Sequence, residues 1–97
     1  MIVSLTDEAK ADAQEAADWY IDQDAWPAAL ALQQEITRAL ARLVRSPGLG
    51  TPGDDGTRVL PIHVFPISLV YRVADQHIQV IAVAAQRRRP NYWLGRR

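Results

Sequence analysis

The sequence predicts an α+β domain in which a short N-terminal strand and an αα-hairpin pack on one face of a small antiparallel β-sheet. Three observations carry this reading. Residues 6–45 hold two successive stretches with apolar side chains at helical spacing, and residues 57–85 hold runs rich in β-branched residues. The change from one regime to the other falls at Ser46-Pro47-Gly48, a firm helix stop followed by a loop. Helices grouped before strands, rather than alternating with them, place the helices together on one side of the sheet. At 97 residues, the chain is expected to form one domain over residues 1–97, with a single modest core and no internal repeat.

Each element has its own signal. Ile2-Val3-Ser4-Leu5 reads as a short strand, and Thr6 as the N-cap of the first helix, with Asp7 and Glu8 in the turn where the helix dipole favours acids. Leu5, Ala9, Ala13, Ala16, Ala17, Tyr20 and Ile21 recur on one face of that helix, while Asp12, Glu15, Asp18 and Asp22 are expected to point away from it. Trp19 and Tyr20 are expected to pack between the helices, with Trp26 and Pro27 bracing the turn. A break at Asp22-Gln23-Asp24 and Pro27 in a first turn open the second helix. Its inner face carries Ala29, Leu32, Ile36, Leu40, Leu43 and Val44. Leu49 to Gly56 reads as an exposed loop. Thr57 to Val64 follows as a strand whose Pro61 argues for an edge or a bulge. Ile67 to Val73 and His77 to Ala84, joined at Asp75-Gln76, complete an antiparallel meander.

Composition narrows the function. No apolar run approaches the roughly 20 residues that span a bilayer, and the N-terminus lacks the basic and apolar regions of a signal peptide. There is no cysteine, which excludes disulfides and thiolate chemistry. A cytoplasmic location without membrane contact is the expectation. The net charge of zero hides a polarity: residues 1–35 hold eight acids and one lysine, and residues 36–97 hold ten arginines and three acids. That asymmetry points either to a charged partner or to internal pairing of the two halves; a pI near 6.7 is low for a dedicated nucleic-acid binder.

The candidate interaction segment is Gln86-Arg87-Arg88-Arg89-Pro90-Asn91-Tyr92-Trp93, directly after the apolar run Val80 to Ala85. Pro90 stops ladder pairing. Arg87, Arg88, Arg89, Tyr92 and Trp93 interleave cations with flat amphipathic rings, which suits a macromolecular partner with phosphates or carboxylates. The alternative is a solvated basic tail whose Trp93 folds back onto the core. No metal-ligand cluster, phosphate-cradling loop or catalytic triad is present, so neither a metal nor another cofactor is expected.

Four stretches, taken in order, resemble the RelE/ParE superfamily of bacterial type II toxins, with the ParE-like, plasmid-stabilisation branch as the nearest. They are Ala17-Asp18-Trp19-Tyr20, Leu40 to Gly48, Ser68 to Asp75, and Val83 to Pro90 with Tyr92-Trp93. The resemblance implies a small toxin neutralised by a cognate antitoxin in a hetero-oligomeric complex, the antitoxin completing the sheet or wrapping the toxin. It implies either inhibition of DNA gyrase without catalysis or RelE-like cleavage of mRNA on the ribosome. An inactive relative that only binds antitoxin is a third reading, motivated by Ala85, where related sequences often carry histidine. For RNA cleavage, the candidate groups are Arg58, Arg72, Arg87 and Tyr92, with Arg58 and Arg72 expected to share a face with the tail arginines. Arg72 has the alternative of pairing with an acid of the first helix. Tyr71 and Tyr92 could act as acids only with depressed pKa values. His63 and His77 titrate in the useful range but are expected at an edge and in a turn.

Overall fold

The computed structural model describes residues 1–96. Strand β1 (Ile2–Leu5) runs through Thr6 into helix α1 (Asp7–Asp22), and helix α2 (Trp26–Arg45) packs against it. Thr6 caps α1 by accepting the Ala9 amide at 3.1 Å, and Pro27 sits in the first turn of α2. There follow β2 (Thr51–Pro52), a short 3-10 turn (Asp54–Gly56), β3 (Arg58–Pro61), β4 (Ile67–Ala74) and β5 (His77–Ala85).

Among the described residues, five strands form one sheet in the order β1-β5-β4-β3-β2. From β2 to β5 each strand is antiparallel to its neighbour, as the short turns between them impose. β1 departs from the expected all-antiparallel sheet: it lies parallel to β5, with Ile2 beside His77 and Leu5 beside Val80. No hairpin joins β1 to β5, so no turn constrains them to opposite directions. The stretch expected to be only a loop also supplies β2, which covers the outer side of β3. That cover reaches only Arg58 and Val59; Pro61, the last residue of β3, pairs with Ser68 on one side and lies beyond β2 on the other, an edge position of the kind proline tolerates.

A β-bulge shapes the sheet. Tyr71 pairs with Val80 and Val70 with Ala82, leaving Ile81 as the extra residue. The bulge shifts the alternation of β5. Ile78, Val80, Val83 and Ala85 join the core under the helices, whereas Ile81 and Ala82 join Val70 and Trp93 in a second cluster.

The helix-side core is built on Leu32, Leu43, Leu69 and Ile78, each with essentially no exposed surface; full burial of such side chains stabilises by about 1.5–3 kcal/mol each. Between the helices, the buried positions are the alanines Ala9, Ala16, Ala17, Ala29 and Ala39. Their close approach leaves no room for an indole. Trp19 is accordingly 42 % exposed and Trp26 61 % exposed, contrary to their expected packing, while Tyr20 reaches Phe65 edge-on with centroids 5.7 Å apart.

Tyr71 ties the sheet to the end of α2. Its hydroxyl accepts the Gly50 amide at 2.8 Å and donates to the Pro47 carbonyl at 2.8 Å. Gly50 is required by this approach, since a Cβ there would stand 2.8 Å from the Tyr71 oxygen. Tyr71→Phe leaves two loop backbone groups without their partner. It is expected to destabilise the fold by about 1–3 kcal/mol, read as a lower urea midpoint with an unchanged slope.

Candidate functional site

β1 pairs with β5 only as far as Val80. Beyond that point, the outer edge of β5 presents the Ile81 carbonyl and both backbone groups of Val83, and side chains take the place of a neighbouring strand. The Val83 amide donates to Asp12 Oδ2 at 3.1 Å, and Arg96 Nη1 donates to the Ile81 carbonyl at 3.0 Å. The Tyr92 hydroxyl lies 3.2 Å from the Val83 carbonyl and 3.0 Å from Asp12 Oδ2, to which it can donate.

Asp12 is the centre of this arrangement. It is 6 % exposed, and a carboxylate so buried persists only when paired. Arg96 Nη1 approaches Oδ2 at 2.7 Å and Arg88 Nη1 approaches Oδ1 at 3.3 Å. Arg88 also meets Glu15 at 3.5 Å, and Arg96 meets Glu8 at 3.7 Å. Arg88 lies over the Tyr92 ring, 3.8 Å from its centroid. Burial, followed by the Asp12 charge and hydrogen bond, pushes the Tyr92 phenol up to about 12. The Asp12 hydrogen bond raises the pKa of Arg96 further.

Asp12 was expected on the outer face of α1. Its spacing says otherwise: Ala9, Asp12 and Ala16 stand three and four residues apart and form one buried stripe. The acid at the middle of an alanine stripe was the available signal. Arg96 carried none, because its role depends on a chain reversal made by Asn91 at φ 57° and Gly95 at φ 91°.

The five tail residues separate in space. Trp93 is buried against Val70, Ile81 and Ala82 on the face of the sheet opposite the helices. Arg88 and Tyr92 face inward to Asp12. Arg87 is exposed and lies over Trp19, 5.1 Å from the ring centroid. Arg89 is exposed and has no ion pair among the described residues. Internal pairing of the acidic and basic halves thus accounts for Arg88 and Arg96, while Arg87 and Arg89 remain outward.

The groups considered for RNA cleavage do not form one cluster. Arg58 stands across from Tyr71 on the helix side and donates to the Gly50 carbonyl at 2.8 Å. Arg72, one residue on from Tyr71, lies on the opposite face. It pairs with Asp55 at 2.9 Å, not with an acid of α1, and donates to the Arg96 carbonyl at 3.0 Å. Arg58 and Arg72 therefore do not share a face, because the pleat turns successive side chains to opposite sides. Tyr92 is shifted upward, away from the depressed value that acid catalysis needs. His63 is exposed, and His77 Nε2 lies 2.6 Å from Ser4 Oγ, an exposed pair at the parallel edge. Ala85 is buried in the helix-side core. No cluster of metal-ligating side chains occurs among the described residues.

Comparison with known proteins adds a family. The model for the ParE toxin of type II toxin-antitoxin systems (parDE) matches residues 3–90. Among solved structures, the fold is similar to a chain of the chromosomal ParDE toxin-antitoxin system from P. aeruginosa, with a TM-score of 0.77 and 28 % sequence identity, covering 88 % of this chain and 95 % of that one. No curated protein matches.

Asp12→Asn is expected to cost about 3 kcal/mol, since it strips the charge from a buried pair, and to shift Trp93 fluorescence toward that of an exposed indole. The Tyr92 phenol supplies a pH signature. Below pH 10.0 both folded and unfolded chains keep its proton and stability is unaffected by it. Above that, the unfolded chain loses the proton first, so stability falls as pH rises from 10.0 to about 12. Absorbance titration of the phenols checks this, and Asp12→Asn should bring the late-titrating tyrosine down.

Proposed function

The chain belongs to the ParE toxin family of type II toxin-antitoxin systems, and from that premise we propose that it arrests growth by binding DNA gyrase in the cytoplasm and is neutralised by a cognate antitoxin. The observation that supports a binding rather than a cleaving toxin is the disposition of its cationic and phenolic groups. RNA cleavage through the 2′-hydroxyl needs a proton acceptor, a proton donor and cations converging on one phosphate. Here Arg58 and Arg72 sit on opposite faces, Arg72 is paired with Asp55, and Tyr92 holds its proton to about 12. In the segment after β5, Arg87 and Arg89 are exposed and available to a protein target, and Arg87 lies over the exposed Trp19.

The antitoxin reading rests on the free side of β1. Ile2 and Thr6 donate their amides to the Gln76 and Val80 carbonyls of the β4–β5 turn and β5. By alternation, the amides of Val3 and Leu5 point to the other edge, where no strand lies among the described residues. An added antitoxin strand would pair there. The exposed Ile2, Trp26 and Leu30 supply apolar surface for the rest of a wrapping segment. No helix among the described residues is long and apolar enough to cross a membrane.

The test is a supercoiling assay with purified protein, gyrase and relaxed plasmid. Inhibition with trapped cleaved DNA is expected, and messages should stay intact during growth arrest. An uninhibited gyrase together with cleaved transcripts would replace this reading with the ribonuclease one. For the antitoxin, Val3→Pro removes one outward amide from an edge strand that tolerates proline. Because the Val3 side chain packs on the core, the variant should lose some stability; in protein shown by circular dichroism to be folded, antitoxin binding should weaken roughly five- to tenfold, measured by calorimetry.

A further inference from the structure

Ser68 and Ala84 stand directly opposite each other on β4 and β5, on the face away from the helices. The pair beside them is bulkier: Val70 meets Val59 across β3 and Ala82 across β5. Two small side chains facing each other leave a depression in the sheet surface. The segment after β5 crosses over it, held at its far end by the burial of Trp93 and by the Tyr92–Asp12 contact. The result is a cavity of about 310 Å³ between sheet and segment. The sheet lines it with Val59, Ser68, Val70 and Ala84, and the segment lines it with Arg88, Arg89 and Trp93 among others.

The lining specifies a ligand chemistry. An apolar cavity of about 150 Å³ is large enough to hold benzene, so this one has room for a fused bicyclic ring. Val59, Val70 and Trp93 pack together as one apolar cluster, and where that cluster borders the cavity it offers an apolar wall that suits the face or edge of a flat ring. The cations bordering it are not equivalent. Arg88 is shared with Asp12 and Glu15, whereas Arg89 is exposed and without an ion pair among the described residues. Guanidinium groups bind carboxylates and phosphates through paired N–H donors. The residues that build the cavity share Arg88 and Tyr92 with the buried Asp12 arrangement and none with the free edge of β1.

We propose that this cavity is a binding site for a small aromatic anion, its ring against Val59, Val70 and Trp93 and its carboxylate or phosphate on Arg89. The site shares Arg89 with the surface assigned to gyrase, but it needs no partner protein and is tested without one, so its failure leaves the gyrase reading untouched.

The experiment is a two-dimensional amide NMR titration of the full chain with indole-3-acetate, phenyl phosphate and adenosine monophosphate, with neutral indole-3-acetamide as control. Shifts are expected at Ser68, Val70, Ala84, Arg89 and Trp93, with the anion binding roughly three- to tenfold more tightly than the amide. A preference for the phosphate arms identifies a phosphorylated ligand, and a preference for indole-3-acetate a carboxylate. Arg89→Glu alters an exposed side chain and should reduce anion affinity at least to that of the amide. Ala84→Leu fills the depression and should abolish binding of all four probes. Absence of shifts at millimolar ligand overturns the proposal, as does equal binding of the amide, shifts centred on Arg42 and Arg45, or unchanged binding by the folded Arg89→Glu protein.

Discussion

The fold depends on how the open half of the β5 edge is closed. β1 is four residues long and leaves β5 unaccompanied beyond Val80. Unpaired backbone groups at that edge would be a site for uncontrolled strand addition. Asp12, one turn into the helix that follows β1, takes the Val83 amide, and the same carboxylate anchors Arg96, Arg88 and Tyr92. One buried charge therefore joins α1, β5 and the C-terminal segment. Such a pair is costly to desolvate and adds little net stability compared with apolar packing. What it supplies is position: it sets where the segment after β5 can lie.

That position gives the two faces of the sheet different uses. The helices cover one face with an aliphatic core. The other is covered only by the C-terminal segment, through Trp93 on Val70, Ile81 and Ala82. The bulge at Ile81 makes this possible, because it turns two consecutive apolar residues of β5 toward the segment while Val80 and Val83 stay under the helices. A regular strand would have offered Trp93 a smaller apolar seat. The segment is consequently part of the domain and not a free tail, and among its described residues the outward cations are Arg87 and Arg89.

Much of the architecture was legible in the chain. Helical spacing in residues 6–45, the Thr6 cap, Pro27 and the Ser46-Pro47-Gly48 stop are local signals, and each element begins or ends close to where they indicate. The meander followed from β-branched runs and short turns. Family membership was legible too, from the joint order of four weakly specific stretches. The candidate site was less so. Arginines and aromatics at 87–93 were visible as chemistry, but their direction was not. Arg88 faces Asp12 across 76 positions of sequence, and Arg72 reaches Asp55 rather than an acid of α1.

The sequence by itself determined the elements, their order and the α+β class, because capping, turn formation and periodic burial act between residues a few positions apart. Only the tertiary structure decided that β1 runs parallel to β5, that Asp12 is buried, and that Trp93 closes the second face. The first two arise from contacts between segments more than 70 residues apart, and the third from the C-terminal segment turning back onto β4 and β5, a geometry set by how the helices and the sheet pack together. A charge at a helical position can be solvated or paired with equal local ease; the protein around it chooses.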